Sequence, residues 1–329
     1  MAGPLGRAFG GSALLLAASL AGCGAAPPSP RAARARPAVG ALVTLAPPES
    51  TLVVTARPAE LMAAEATARI VGALFPTEQL DRFSQRTGVD PREVTELVVA
   101  DHPDGRVVLA RGPFDAPFAV REAGERMAPV ESSVDEPRVR RAGFLGDRRV
   151  DVAALDEHAI AWIEGTPQLA ASVLAMAGRP ARARRHALAR SSAAALRAEL
   201  GDAPIAVFAP HPLGLPLETG VGMLLAREQA LAAAAWATAD GLRVDADLRG
   251  EFPEGAHENF RALARSLADT DLGAALGLRD ALPSLRVEAD DARVALSARF
   301  DPVVLAAGLR TLFVAELREL LGEEEPDPP

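Results

Sequence analysis

Ala233 to Ala239 runs through Asp240-Gly241 into Leu242-Arg243-Val244-Asp245-Ala246-Asp247-Leu248-Arg249, and this stretch decides the fold. Apolar and charged residues alternate strictly in its second arm, which predicts a strand with one face buried and the other charged. Asp-Gly is the pair that a type I′ turn requires, so the two arms read as a hairpin. A helix is expected to follow at Pro253, with Phe260, Leu263, Ala264 and Leu267 on one side.

The same strand, strand, helix unit recurs along the chain. Leu97 to Ala100 turns through His102-Pro103-Asp104-Gly105 and returns through Arg106 to Arg111, with a helix entered at Asp115. Arg148 to Ala154 pairs with His158 to Ile163 before a helix at Thr166-Pro167. Leu285 to Ala289 pairs with Arg293 to Phe300 before Asp301-Pro302 and a helix striped by Leu305, Leu309, Leu312 and Leu320. A capping Asp or Thr beside an early proline is the chemistry of a helix start.

Thr51-Leu52-Val53-Val54 resembles Pro204-Ile205-Ala206-Val207, each opening a half, and Arg111 to Asp115 resembles Arg299 to Asp301. Internal duplication follows from these likenesses. The fold class is therefore α+β, with helices on one face of antiparallel sheets and two related halves. The halves are drawn at residues 48–178 and 202–321. An arginine-rich connector with a helix from Ser191 to Leu200 fills 179–201, and 322–329 form an acidic, proline-rich tail.

The N-terminus carries a different message. Arg7 precedes an uncharged apolar run from Ala8 to Leu20, too short to span a bilayer. The run ends in Leu20-Ala21-Gly22-Cys23, which resembles the lipobox of bacterial lipoproteins. That resemblance implies cleavage after residue 22, lipid on Cys23, and export to a membrane-anchored position. Gly24 in place of an aspartate implies the outer membrane by the sorting rule of enteric bacteria. Cys23 is the single cysteine, which excludes a disulfide framework. Residues 23–47, rich in Ala, Pro and Arg without periodicity, read as a disordered tether. The body is similar only to uncharacterised envelope lipoproteins with tandem α+β modules, a likeness that implies no activity.

Charge and motifs narrow the function classes. A net charge of −9 with no concentrated basic face argues against nucleic acid. His102, His158, His186, His211 and His257 lack a second ligand at helical spacing, so neither a metal nor a cofactor is expected. Lysine is absent and no Gly-x-Ser-x-Gly elbow occurs, and the pairs Asp290-Asp291 and Asp269-Asp271 sit at turns. Gly220-Val221-Gly222 lacks the context of a phosphate loop. In the connector, Arg182, Arg184 and Arg185 are candidate contacts for an anionic surface component.

The expected role is a lipid-anchored envelope protein that binds or scaffolds without catalysis, its partners the membrane and an envelope protein. The alternative is a small-ligand or lipid binder, or an enzyme with a site between the halves. A charged outer sheet face disfavours a cavity lined by that face, while the many alanines leave room between sheet and helices. Cys23→Ser is expected to abolish incorporation of labelled palmitate and to move the protein from the membrane to the soluble fraction or leave it as precursor. Unchanged labelling would contradict the anchor.

Overall fold

The computed structural model describes residues 41–130, 139–179, 185–189, 191–212, 227–239 and 241–312. In chain order the elements begin with β1 (Leu52–Ala56), α1 (Pro58–Ala63), α2 (Glu65–Leu74), α3 (Thr77–Thr87), β2 (Glu96–His102), β3 (Gly105–Arg111) and α4 (Ala116–Gly124). Next come β4 (Ala128–Pro129), β5 (Arg140–Leu145), β6 (Arg148–Ala154), β7 (Ala159–Gly165), α5 (Pro167–Gly178), α6 (Ser191–Leu200) and β8 (Ile205–Ala209). The remainder is β9 (Glu228–Thr238), β10 (Gly241–Gly250), α7 (Ala256–Ala268), α8 (Asp271–Ala275), α9 (Leu278–Ala281), β11 (Arg286–Ala289), β12 (Arg293–Phe300) and α10 (Pro302–Leu312). The fold is α+β with antiparallel strand pairing, as the alternating hairpins require.

Local chemistry explains the helix starts. Asp115 accepts the Phe118 amide at 2.8 Å, Thr166 accepts that of Leu169 at 3.3 Å, and Asp301 accepts that of Val303 at 2.7 Å. Each cap satisfies an amide that the first helical turn leaves unpaired. The helix expected at Pro253 starts later, at Ala256, behind Gly255 in the left-handed region and without a side-chain cap. Strand β5 has no apolar alternation to announce it and is fixed by pairing with β6 from Arg140↔Ala153 to Leu145↔Arg148. Gly105 and Gly165 face each other across β3 and β7, and a Cβ on Gly105 would meet the Glu164 carbonyl at 2.0 Å. Only glycine permits that approach.

The chain forms two compact units. Unit 1 holds Pro76–His186 and the described residues up to Pro47; unit 2 holds Pro48–Phe75 and Ala187–Val314. Strand order is β2-β3-β7-β6-β5-β4 in unit 1 and β11-β12-β10-β9-β8-β1 in unit 2. The hairpin β2-β3 lies beside β7-β6 just as β9-β10 lies beside β12-β11, and a helix follows the inner strand of each second hairpin.

These units differ from the boundaries read along the chain. β1 bonds to β8, with Val53 opposite Phe208, and the Arg57 amide donates to the Pro204 carbonyl at 2.7 Å. The opening strand and helices, assigned to the first half at 48–178, therefore belong to unit 2. The tether drawn to Pro47 also ends earlier. Leu42–Leu45 form a 3-10 turn in which Leu42, Val43 and Leu45 are buried, and the Leu42 amide donates to Glu96 Oε1 at 2.6 Å. Hydrophobic residues were embedded in an Ala- and Pro-rich context, and burial overrode the composition.

In unit 1 both faces of the sheet are covered. Val150, Val152, Ile160 and Trp162 point into a core with Val120, Ala119 and Phe114 around α4. Their neighbours of opposite pleat, Val107, Leu109, Ala161 and Ile163, are buried as well. The 3-10 turn packs against β2 and β3, and α5 against β7 and that turn. A continuous run such as Ala159-Ile160-Ala161-Trp162-Ile163 is the mark of a strand buried on both sides.

Removal of residues 1–47 is expected to destabilise unit 1 relative to removal of 1–40. Leu42 and Leu45 each contribute about 1.5–3 kcal/mol of burial, so the difference in urea unfolding free energy should exceed about 3 kcal/mol. Equal stability of the two truncated forms would contradict the burial of the 3-10 turn.

Candidate functional site

The two faces of β9 set up the site. Ala230, Ala232 and Ala234 are sealed, at 0%, 0% and 3% exposure, beneath α6, whose Ala193, Leu196 and Leu200 are buried with Phe208 and Val53. The sheet face expected to be free is thus covered over β8 and β9. Ala233, Ala235 and Ala237, pointing to the opposite face, stay half-buried.

That opposite face can be followed across five strands through the pairing register. One row runs Val54, Val207, Ala233, Ala246, Leu296, and all five are half-buried. The next runs Ala56, Ile205, Ala235, Val244, Ala298, and all but Ala56 are half-buried. In the row beyond the first, Ala209, Leu248 and Val294 are buried while Leu231 between them is half-buried. In the row beyond the second, Leu242 is buried while its partners Ala237 and Phe300 are half-buried.

Helices lie over this face. α7 seals its margin through Phe252, Ala256 and Phe260 packed on Leu248, Val287 and Val294. α2 packs against β9 and β10 and against α10, which in turn meets α8. A Cβ on Gly308 of α10 would meet the Ala275 carbonyl at 2.1 Å, so α10 and α8 are in backbone contact. Yet α2 buries only Thr67, and its Ile70, Val71 and Leu74 remain half-buried. The two rows are therefore an apolar, half-buried sheet face beneath helices that are themselves incompletely buried.

The charged side of β10 has its own architecture. Asp247 is 2% exposed, and Arg293 reaches it through Nε at 2.6 Å while contacting Glu199 of α6 at 2.9 Å. Arg249 pairs with Asp247 at 3.1 Å and with Glu199. Burial raises the Asp247 carboxyl above its ordinary range, against the pull of the Arg293 and Arg249 guanidinium groups. For Glu199 burial acts in the same direction, but the guanidinium of Arg249, joined by Arg293, outweighs it and holds the carboxyl below its ordinary range. The Glu199 contribution to stability is therefore present above the unfolded carboxyl value and is lost as pH falls. This cluster clamps the last turn of α6 to β10 and β12. Farther along, Arg243 stacks on Trp236 at 4.7 Å and pairs with Asp245, which accepts from Ser297 at 2.7 Å.

Cys23, Arg182, Arg184 and Gly220 to Gly222 lie outside the described residues, and Arg185 is exposed. His102 Nδ1 accepts the Asp104 amide at 3.1 Å in the β2-β3 turn, His158 Nδ1 meets the Phe114 carbonyl at 3.2 Å, and His257 is exposed. Asp290 accepts the Ala292 amide at 2.8 Å in the β11-β12 turn, and Asp269 pairs with Arg279 at 3.6 Å. Among the described residues no three His, Cys, Asp or Glu side chains are placed to hold a metal ion, and no helix is long and apolar enough to cross a membrane. The two apolar rows were missed as a site; their signal in the sequence is the run of small residues from Leu231 to Ala239.

No protein-family model matches the chain, and no curated protein matches it. Solved structures of TP0453 are similar. Crystal form I gives a TM-score of 0.46 at 11% identity over 84% of this chain and 98% of that one. Crystal form III gives 0.47 at 10% identity over 83% and 99%, and crystal form IV 0.47 at 9% over 85% and 97%. The likeness is one of architecture alone.

Arg293→Met is expected to cost about 3 kcal/mol in urea unfolding, because it leaves Asp247 buried with half its compensation. Arg243→Met, at an exposed pair, should cost under about 1 kcal/mol. Equal costs would contradict the clamp.

Proposed function

We propose that this protein is an exported lipoprotein, anchored through lipid on Cys23 at the outer membrane, whose second unit binds an apolar ligand between its sheet and its helices without chemical conversion. The observation that carries this reading is the pair of apolar rows across β1, β8, β9, β10 and β12, half-buried at every position but Ala56. None of their ten side chains is titratable or able to hydrogen-bond. Such a surface offers hydrophobic burial and nothing else, about 25 cal/mol for each Å² covered. A ligand with unsatisfied polar groups would meet no partner there and would be penalised. The lipid anchor would hold the site beside a bilayer, where apolar molecules are concentrated.

The test uses the full chain carrying Cys23→Ser, in detergent-free buffer, with the environment-sensitive dye 1-N-phenylnaphthylamine. Saturable binding of one dye per chain is expected. Val207→Thr and Val244→Thr keep side-chain size but bury a hydroxyl, at about 1–3 kcal/mol each, so the double variant should bind at least tenfold more weakly with an unchanged circular dichroism spectrum. Absence of saturable binding by the parent chain would contradict the reading.

A further inference from the structure

β11 ends the strand order of unit 2, and among the described residues no strand lies on its outer side. From the register and charges of this strand we infer that its edge is the interface for a second copy of the chain, β11 pairing antiparallel with itself about a two-fold axis at Val287.

The backbone sets the parity. The Asp290 amide donates to the Arg293 carbonyl at 2.9 Å across the β11-β12 turn, and the register carries the same kind of pair to Glu288↔Ala295 and Arg286↔Ser297. Hydrogen-bonded pairs alternate along an antiparallel ladder, so the amides and carbonyls of Val287 and Ala289 point away from β12. Among the described residues no other group bonds them. Upstream, the Leu285 amide is taken by the Leu282 carbonyl at 3.0 Å, and Pro283 has no amide to offer. The edge is therefore short, with Val287 and Ala289 able to donate and Leu285 and Val287 able to accept. Unpaired backbone groups of this kind are a template for a further strand.

Side chains decide the register. Arg286 and Glu288 are exposed on the face opposite Val287, and neither side chain forms an ion pair or hydrogen bond with another described residue. With the axis at Val287, Arg286 of each copy stands opposite Glu288 of the other. These are non-hydrogen-bonded positions, where facing residues come closest, about 4.5 Å between Cα atoms. An axis at Ala289 would instead set Glu288 against Asp290, a repulsive pair. An axis at Leu285 would need the amide that Leu282 already holds and would set Val287 against Pro283. Charges that only protect an edge share one sign and repel in every register; opposite charges two residues apart favour one self-pairing.

The apolar face agrees with this register. Val287 meets its own symmetry mate, and Leu285 meets Ala289 of the second copy, which continues the row packed with Phe252 and Phe260. Ala289 is exposed in the single chain and gains cover in the pair. The interface is isologous and closes at two copies. Its contact is short, so the dimer is one that dissociates on dilution rather than an obligate one.

Sedimentation velocity of the Cys23→Ser chain over a concentration series tests the assignment, and a monomer in equilibrium with a dimer is expected. Arg286→Glu alone and Glu288→Arg alone each bring like charges face to face and should weaken dimerisation by about tenfold or more, with unchanged circular dichroism spectra. Mixed in equal amounts, the two variants present an acidic edge to a basic one and should dimerise as the parent does. The double exchange, Arg286→Glu with Glu288→Arg, should recover dimerisation by itself. A parent chain that stays monomeric at every concentration, dimerisation undiminished in either single variant, or no recovery on mixing would each overturn the interface.

Discussion

Unit 2 depends on the ion cluster of Glu199, Asp247, Arg249 and Arg293. It draws the end of α6 onto β10 and β12, and the rest of α6 then seals Ala230, Ala232 and Ala234 against Leu196 and Phe208. A buried carboxylate is costly unless paired, and here two guanidinium groups compensate two carboxylates. Once that side is closed, the half-buried apolar surface of the sheet lies on the other side, beneath α2 and α7. The asymmetry arises from pleat alternation, because each strand can be sealed on one face and open on the other.

The comparison between the units shows that this openness is local. Unit 1 fills both sides of its sheet, with Trp162 and Val152 in one layer and Leu109 and Ile163 in the other, and even recruits the 3-10 turn at Leu42–Leu45 to close it. Unit 2 has the same order of paired hairpins but leaves two apolar rows of one sheet face largely half-buried, with alanine concentrated on β9. Backbone order is shared while side-chain burial differs.

Much of this was legible in the residues. Alternation in Leu242 to Arg249 announced β10 and its two faces, and Asp115, Thr166 and Asp301 announced three helix starts through capping. The helix from Ser191 to Leu200 was also readable, though not the face it covers, since ion pairing to Arg249 and Arg293 joins positions roughly fifty and a hundred residues apart. The exchange of β1 was hidden for the same reason: its hydrogen bonds go to β8, and nothing local in Leu52 to Ala56 distinguishes that partner from a nearer strand. The half-buried sheet face was foreshadowed only by alanine content, because whether small side chains are buried tightly or left half-open depends on how closely helices approach.

The most direct measurement is photocrosslinking of the Cys23→Ser chain with an uncharged, diazirine-bearing apolar probe, followed by peptide mapping of the labelled chain. The account predicts label on β8, β9 and β10 at residues such as Val207, Ala233, Ala235 and Ala246. Label concentrated in unit 1, or at Ala230, Ala232 and Ala234 beneath α6, would contradict it.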